Sequence, residues 1–285
     1  MEALSTLKLR LLHAGHASLG TEWQYNAVIS PFCRLYLVTE GSAWVWHNHI
    51  KFDLLPGNLY LIPSFSYGRY YCDNTMTQYY LSILEETENG LSAFDILTFA
   101  YQVPATEIDR LLFQRLLVIN PGRGIQNSDP KMYDNQSGLL SFNQPNRAET
   151  TGFALETQGI LLQLFSRFVL IPSETTLQQS RVQLNKVLTY IHMNLAEKIT
   201  IEHLAKMQNL NADHFSRQFQ TTLGIRPSEY IINKRLERAQ FLMMTSCLTL
   251  QEITEQIGIS DIYYFSRLFK RRFGVSPGRY RRFKN

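Results

Sequence analysis

Arginine, serine and aromatic side chains recur in one fixed frame near the C-terminus. Residues 264–280 read YFSRLFKRRFGVSPGRY, and residues 214–230 read HFSRQFQTTLGIRPSEY. Both copies share the frame F-S-R-x-F-x-x-x-x-G-x-x-P-x-x-Y. An arginine can donate two parallel hydrogen bonds to a guanine edge, and clustered bases attract phosphates. The frame therefore indicates two copies of a unit that binds a polyanion, with nucleic acid as the first candidate.

Charge is divided unevenly along the 285 residues. Residues 181–285 carry 17 Lys and Arg against 8 Asp and Glu, whereas residues 1–180 carry 11 against 16. The C-terminal part therefore has a net charge of +9 and the N-terminal part a net charge of −5. After Asp261 the chain contains eight bases and no acid. This asymmetry favours a nucleic acid partner, and a basic surface that only aids solubility is the alternative.

Histidine and cysteine are the other side chains whose spacing bears on chemistry. His47 and His49 are two residues apart, and alternate residues of a strand share a face, so both imidazoles could reach one metal ion. The pair falls at a predicted hairpin tip, however, and we interpret both as turn residues, with no metal and no cofactor. Cys33, Cys72 and Cys247 contain no C-x-x-C pair. They predict neither a disulfide framework nor a thiolate site, and favour a reducing cytoplasm.

Helical elements must position the first copy of the frame. Apolar residues at intervals of four from Phe215 to Leu223 form one face of a helix over residues 212–223. Asn211 is its predicted N-cap, and Gly224 is its predicted left-handed C-cap. Pro227 suits the first turn of the next helix. Before the helix over residues 212–223, TIEHLAKM from Thr200 predicts a short leading helix, and the tight turn QNLN joins the two, which is the plan of a helix-turn-helix.

The second copy follows the same plan. Phe265 and Phe273 mark the ends of its buried stripe, and Ser260 is its predicted N-cap. Gly274 ends the helix and Pro277 begins the next. The phenylalanines of both copies are therefore predicted to be core residues, and the opposite face of each helix is free to enter a groove of DNA.

Two such units joined by a long helix resemble the DNA-binding domain of AraC/XylS-family regulators, and the resemblance covers residues 182–283. It implies two recognition helices that enter successive segments of the major groove. The implied base-facing positions are Ala212, Asp213, Ser216, Arg217 and Gln220 in the first unit, and Ile262, Tyr263, Ser266, Arg267 and Lys270 in the second. We expect Arg217 and Arg267 to read guanines. We expect Lys270, Arg271 and Arg272 to contact phosphates.

Residues 32–84 read as short strands rich in aromatic and β-branched residues, separated by turns such as Pro56-Gly57-Asn58. Within them, L-x-P-G-x-L-Y-L-I-P at residues 54–63 resembles the cupin-like sensor half of the same family. We predict a small-molecule pocket lined by Arg34, Tyr36, Trp44, Trp46, Tyr60, Tyr67, Arg69 and Tyr70. Aromatic rings with an arginine suit a sugar or an anionic metabolite. The alternative is that these aromatics simply fill the barrel.

Helical periodicity returns after Gly90, and it predicts helices over residues 91–102, 105–119 and 152–171. The family resemblance implies that such helices often pair two subunits. The predicted fold class is multi-domain α+β. A cupin-like β-barrel with its following helices occupies residues 1–172, a linker occupies 173–181, and an all-α domain with two helix-turn-helix units occupies 182–285.

The predicted protein is a bacterial, cytoplasmic, non-enzymatic regulator of transcription that binds promoter DNA and a small-molecule effector. The family resemblance implies activation through RNA polymerase, and a homodimer is one possible arrangement. Two alternatives stay open. One is a cupin-type metalloenzyme fused to a DNA-binding domain, and the other is a ligand-independent DNA-binder whose barrel only dimerises.

Overall fold

The computed structural model describes residues 7–47, 50–86, 92–125, 151–170 and 176–282. The chain folds into two compact units. Of the described residues, 7–86 and 97–170 belong to the N-terminal unit, and 92–96 and 176–282 belong to the C-terminal unit. Within the described ranges, no helix is both long enough and apolar enough to span a membrane.

Antiparallel strands form the first part of the N-terminal unit. In chain order they are β1 Lys8–Leu19, β2 Gln24–Val28, β3 Cys33–Gly41, β4 Ala43–His47, β5 Ile50–Leu54, β6 Asn58–Ile62, β7 Gly68–Tyr71, β8 Met76–Glu86 and β9 Gln102–Pro104. One sheet has the order β1-β8-β3-β6-β9, and the other has the order β2-β7-β4-β5. The predicted N-terminal β domain is therefore confirmed, and its strands form two antiparallel sheets.

Both sheets bury one face against a common core. In β4, Val45 is fully buried, whereas Trp44 and Trp46 on the opposite face are only half-buried. Buried side chains from the other strands, including Tyr36 of β3 and Tyr70 of β7, complete the same cluster. The side-chain alternation of the strands thus decides which aromatics enter the core.

The helices that follow the sheets correct one prediction. Helix α1 spans Ala93–Ile96, α2 spans Glu107–Ile119 and α3 spans Thr151–Ser166. The predicted helix over residues 91–102 is wrong after Ile96, where α1 ends. Phe99 forms a β-bridge with Val169, and the chain then enters β9. The Ala100 N–H donates to the Phe168 carbonyl at 2.8 Å. Backbone pairing within the unit has overridden the local helical pattern.

Helices make up the C-terminal unit. After α1 they are α4 Thr176–Met193, α5 Ile201–Lys206, α6 Ala212–Leu223, α7 Pro227–Thr245, α8 Leu250–Gln256, α9 Ile262–Phe273 and α10 Pro277–Arg282. Because α4 begins at Thr176, residues 176–181 of the predicted linker are helical. Helices α5 with α6 and α8 with α9 are the two predicted helix-turn-helix pairs, and α7 is the long helix between them.

The phenylalanine stripes lie inside the C-terminal unit, as predicted. Phe219 is fully buried, and its ring meets the Tyr230 ring edge to face at 5.5 Å. In the second copy, the ring of fully buried Phe269 meets the Tyr280 ring at 5.4 Å with nearly the same interplanar angle. The final tyrosine of the repeated frame is therefore a core residue that packs on the second phenylalanine of its own copy.

Two buried histidines make the N-terminal unit sensitive to acid. Burial lowers the pKa of His47 to about 4, and burial together with the charges of Arg34 and Arg123 lowers the pKa of His13 to about 4. In the unfolded chain both titrate near their usual 6.5. As the pH falls from about 6.5 to about 4, the unfolded state takes up protons first, and stability is lost across that window. At about pH 5.5 the loss is about 1 kcal/mol for each histidine.

Tryptophan fluorescence can measure this loss, because all three tryptophans lie in the N-terminal unit. We expect a lower Tm at about pH 5.5 than at about pH 7.5. His47→Phe, which keeps a ring against Phe52, should shrink the difference, whereas His203→Gln at an exposed site of the C-terminal unit should not. Equal Tm values at the two pH values in the unaltered chain would contradict the assignment.

Candidate nucleic-acid interface and ligand cavity

Local hydrogen bonds fix both ends of α6. The Asn211 Oδ1 atom accepts from the His214 N–H at 2.8 Å, so the predicted N-cap is confirmed. At the other end, Gly224 has φ of +78° and donates its N–H to the Gln220 carbonyl at 2.8 Å. Glycine adopts this left-handed conformation without steric cost. The helix therefore begins and ends where the sequence predicts.

The N-cap of α9 differs from the prediction. Asp261, and not Ser260, caps the helix, because its Oδ1 atom accepts from the Tyr263 N–H at 2.8 Å and the Tyr264 N–H at 3.1 Å. A carboxylate also interacts favourably with the positive end of the helix dipole. The helix ends at Gly274, whose φ is again +78°.

The predicted base-facing residues lie opposite the phenylalanine stripes. The exposed ones are Asp213, Arg217 and Gln220 on α6 and Tyr263, Arg267 and Lys270 on α9, and the half-buried ones are Ala212, Ser216, Ile262 and Ser266. Tyr263 is 78% exposed, the highest value among the large hydrophobic side chains of the described residues. Each helix therefore presents a row of mostly polar side chains on the face opposite its phenylalanines.

The two rows differ in charge, because α9 carries basic side chains at positions where α6 is uncharged. Lys270 and Arg271 are exposed on α9, where α6 has Gln220 and Thr221. Arg272 is less exposed than Lys270 and Arg271. Its side chain is 29% exposed, and its Nη2 atom lies 3.6 Å from Glu237 Oε1 on α7. Of the three residues predicted to contact phosphates, Arg272 thus has an internal partner.

A cavity of about 440 Å³, including the space at its mouth, opens in the β domain. It is lined by Ala17, Leu19, Trp23, Arg34, Tyr36, Gln78, Tyr80, Ser82 and Ile125. Arg34 is 3% exposed and donates to the Ser30 hydroxyl at 2.6 Å and to the Tyr70 hydroxyl at 3.4 Å. The Gln78 Oε1 atom is buried and has no hydrogen-bond partner among the described residues. An apolar cavity with a few polar groups is the usual form of a small-molecule site.

Some of the predicted pocket residues belong to this cavity or its wall. Arg34 and Tyr36 line it. Tyr70 supports it from the core, since its ring packs edge to face on Trp23 at 5.3 Å. Tyr60 has a structural role, because its hydroxyl donates to the Asp53 carbonyl at 2.7 Å and accepts from the Leu55 N–H at 2.8 Å.

The other four predicted pocket residues lie on the outer face of the second sheet. The Arg69 guanidinium stands 5.2 Å from the centroid of the Trp46 ring and 5.9 Å from that of Tyr67. Trp44 stacks on Tyr71 at 5.3 Å. None of these residues lines the cavity. Sequence reasoning could not separate the two groups because it did not assign the inward face of each strand, and for the same reason it missed Gln78 and Ser82.

The histidine pair shows no metal-binding arrangement in the part of the chain that is described. His47 is 1% exposed at the end of β4, where it stacks on Phe52 at 4.7 Å and meets Tyr101 at 5.0 Å. It is therefore a core residue and not the predicted turn residue, and His49 lies outside the described residues. Within the described ranges, no three His, Cys, Asp or Glu side chains form a group that could hold a metal ion.

Comparison with known proteins finds similarity to regulators of transcription. Residues 204–282 match the family model described as a helix-turn-helix domain. The chain is 23% identical to the Msm operon regulatory protein of Streptococcus mutans over 98% of this chain and 94% of that protein. It is 26% identical to the uncharacterized HTH-type transcriptional regulator YisR of Bacillus subtilis over 92% of this chain and 89% of the relative.

The fold also has a counterpart among solved structures. ToxT from Vibrio cholerae superposes with a TM-score of 0.51 at 11% sequence identity, covering 98% of this chain and 99% of ToxT. This similarity extends over both the β domain and the helical unit. Together with the paired helix-turn-helix units and the relatives named as transcriptional regulators, the matched helix-turn-helix model makes the chain similar to AraC-family DNA-binding transcription regulators.

Proposed function

We propose that the C-terminal unit reads promoter DNA with the exposed faces of α6 and α9, each placed in the major groove. One observation carries this proposal. Arg217 and Arg267 occupy the same position of the frame, fifty residues apart, and each points away from a phenylalanine stripe on a helix that ends at a left-handed glycine. An arginine at the centre of such a face suits bidentate recognition of guanine.

The two faces are proposed to contribute differently to binding. On α9, Lys270 and Arg271 stand beside Arg267 and favour contact with phosphates, which hold the helix in register without reading sequence. On α6, the equivalent positions are uncharged, and Asp213 is placed to accept a hydrogen bond from a cytosine amine. The second unit therefore anchors the protein on the backbone, and the first unit depends more on base contacts.

Selection from a pool of random duplexes tests this proposal. We expect the full chain, at about 150 mM salt, to enrich duplexes that carry two short motifs, each containing a guanine. Failure to enrich any sequence above the random pool would show that binding is non-specific or absent, and would overturn the proposal.

The cavity of the β domain is proposed to bind a small organic acid or a hydroxylated molecule that controls DNA binding. Arg34 supplies positive charge, Gln78 and Ser82 supply polar groups, and Trp23 supplies an apolar wall. A buried amide oxygen without a partner costs free energy that a ligand hydroxyl could recover. Consistent with the family resemblance, we propose that the bound protein activates transcription through RNA polymerase.

Tryptophan-detected melting of the full chain against sugars and small carboxylic acids tests the cavity. At a hundredfold excess over Kd, a true ligand should stabilise the β domain by about 2.7 kcal/mol, or roughly 5–10 °C. Gln78→Leu should keep the unliganded Tm but lose most of this shift, whereas Arg69→Gln on the outer face should retain it. Loss of the shift in Arg69→Gln alone would place the ligand elsewhere.

Two exposed apolar rows in the N-terminal unit support a homodimer. Ile108, Leu111 and Val118 on α2 are 61%, 53% and 69% exposed, and their spacing of three and seven residues lines one helical face. On α3, Leu155 and Leu162 are seven residues apart and 70% and 41% exposed. Seven-residue spacing of apolar side chains is typical of helices that pair. We propose that a second copy of the chain covers these rows.

Sedimentation equilibrium tests the dimer. We expect a mass of twice 33.1 kDa for the unaltered chain and a shift towards one chain in Leu155→Glu, because a buried unpaired carboxylate is costly at an interface. Ile50→Glu, at a site 54% exposed on β5, is the matched control and should leave the mass unchanged. A monomeric unaltered chain, or a dimer that survives Leu155→Glu, would contradict the proposal.

A further inference from the structure

A short segment from the middle of the sequence is built into the DNA-binding unit. Helix α1 precedes α4 by about eighty residues, yet both belong to the C-terminal unit. Ala93 is 1% exposed in this position. The helix-turn-helix pairs themselves are local in sequence, so α1 is an addition that their repeated frame does not require.

Asp95 of α1 receives three polar contacts from the other helices of that unit. Its Oδ2 atom lies 2.8 Å from Lys234 Nζ on α7 and 3.4 Å from His192 Nε2 on α4. Its Oδ1 atom accepts from the Tyr230 hydroxyl at 3.3 Å. The Asp95 carboxylate is therefore held by side chains of both helices.

The contact at Lys234 continues as a chain of alternating charges that ends on α9. Lys234 Nζ also lies 2.9 Å from Glu237 Oε2, and Glu237 Oε1 lies 3.6 Å from the Arg272 guanidinium. The order is thus acid, base, acid, base, from Asp95 to Arg272. Of these four residues, only Arg272 belongs to the recognition helix α9.

Burial makes this chain sensitive to the loss of one member. The Lys234 and Asp95 side chains are only 14% and 15% exposed. Burial alone would lower the pKa of Lys234, but Asp95 and Glu237 together raise it well above its usual value. Burial alone would raise the pKa of Asp95, and the charge of Lys234, followed by that of His192, brings it below its usual value. Removing one partner of such a pair leaves an uncompensated charge.

We infer that Asp95 is a positioning residue for the second recognition helix, acting through Lys234, Glu237 and Arg272. With Asp95 present, Lys234 is shared between two acids, and Glu237 can also hold Arg272. Without the Asp95 charge, Glu237 is the one acid left among these four residues. Lys234 and Arg272 would then compete for the Glu237 carboxylate. Helix α9 would then lose this side-chain contact with α7. This inference rests on the proposed reading of DNA by α9 for its functional consequence, but not for its structural one.

Hydrogen exchange measures the structural consequence without DNA. In the full chain, Asp95→Asn should increase amide exchange at least threefold in peptides from residues 262–273 and leave residues 212–223 near their original rate. The double variant Asp95→Asn with Lys234→Met removes one charge of each sign. Because Arg272 then has no competitor for the Glu237 carboxylate, slow exchange should be restored. Glu255→Gln, at an exposed acid of α8, is the control and should change neither peptide.

Binding to the selected duplex measures the functional consequence. Asp95→Asn should weaken binding about tenfold and relax base preference at the positions that Arg267→Ala also relaxes, but not at those that depend on Arg217. A loss spread equally over both sets of positions would indicate general destabilisation and overturn the inference. So would unchanged exchange at residues 262–273, or failure of the Lys234→Met double variant to recover. If the unaltered chain selects no duplex, the proposed function fails, and the exchange result still decides the role of Asp95.

Discussion

Replacing Arg267 with alanine is expected to weaken binding to the selected duplex by about 5- to 150-fold, which corresponds to ~1–3 kcal/mol for a bidentate guanine contact. Arg267 is exposed on α9 and lies opposite the buried Phe265 and Phe269. Because it contributes little to the core, its removal should change the free energy of unfolding by no more than about 0.5 kcal/mol. Affinity at fixed salt, measured by fluorescence anisotropy, gives the size of the effect.

Arg217→Ala is the matched variant in the first unit. It should weaken binding by a similar factor and relax base preference at a different place in the site, because Arg217 occupies the same frame position on α6. If either variant kept both the affinity and the base preference of the unaltered chain, that helix would not face the bases as proposed.

Lys270→Ala separates base reading from backbone contact. It should weaken binding to all sequences alike and lower the slope of log K against log salt by about one, since a phosphate contact releases about one counterion. Arg267→Ala should change sequence preference far more than it changes this slope. If Lys270→Ala changed sequence preference and Arg267→Ala changed mainly the salt slope, Lys270 would read bases and Arg267 would contact phosphate, contrary to the proposal.

Phe269→Ala is expected to destabilise the C-terminal unit by about 3–5 kcal/mol. Phe269 is fully buried, and its ring lies 5.5 Å from Phe265, 4.4 Å from Phe273 and 5.4 Å from Tyr280. Truncation leaves a cavity at the centre of the second helix-turn-helix unit. Urea unfolding followed by far-UV circular dichroism measures the change, because the helical signal comes mainly from this unit.

Two further variants sharpen that result. Phe219→Ala should cost a similar amount, since Phe219 occupies the equivalent position and is also fully buried. Arg271→Ala, one helical turn or less from Phe269 but exposed, should stay within about 0.5 kcal/mol of the unaltered chain. A small effect of Phe269→Ala would mean that the phenylalanine stripe is not the scaffold of the unit.

The C-terminal unit was largely predictable because its signals are local. The spacing of Phe215 and Phe219 gives the buried face, and Gly224 and Pro227 give the end of one helix and the start of the next. The misplaced N-cap, Ser260 for Asp261, arose because either side chain can cap and only the first helical residue decides which one does.

The N-terminal unit was predictable in its strands but not in its pocket. Adjacent residues of a strand point to opposite faces of the sheet, which is why Tyr70 lies in the core and Arg69 on the surface of β7. Local periodicity predicts the short helix at Ala93–Ile96 as part of a longer one, because periodicity carries no sign of β-bridges such as that between Phe99 and Val169. Asp95 carried no signal at all, because its partners lie about 100 residues or more away in sequence.

Interference by guanine N7 methylation tests most directly whether the chain contains two unequal readers of DNA. On the selected duplex, the full chain should show two clusters of guanines whose methylation blocks binding. Arg217→Ala should remove one cluster and Arg267→Ala the other, with each variant keeping the cluster that the other loses. If both clusters persisted in both variants, or if no guanine interfered with binding of the unaltered chain, the two helices would not read the bases as proposed.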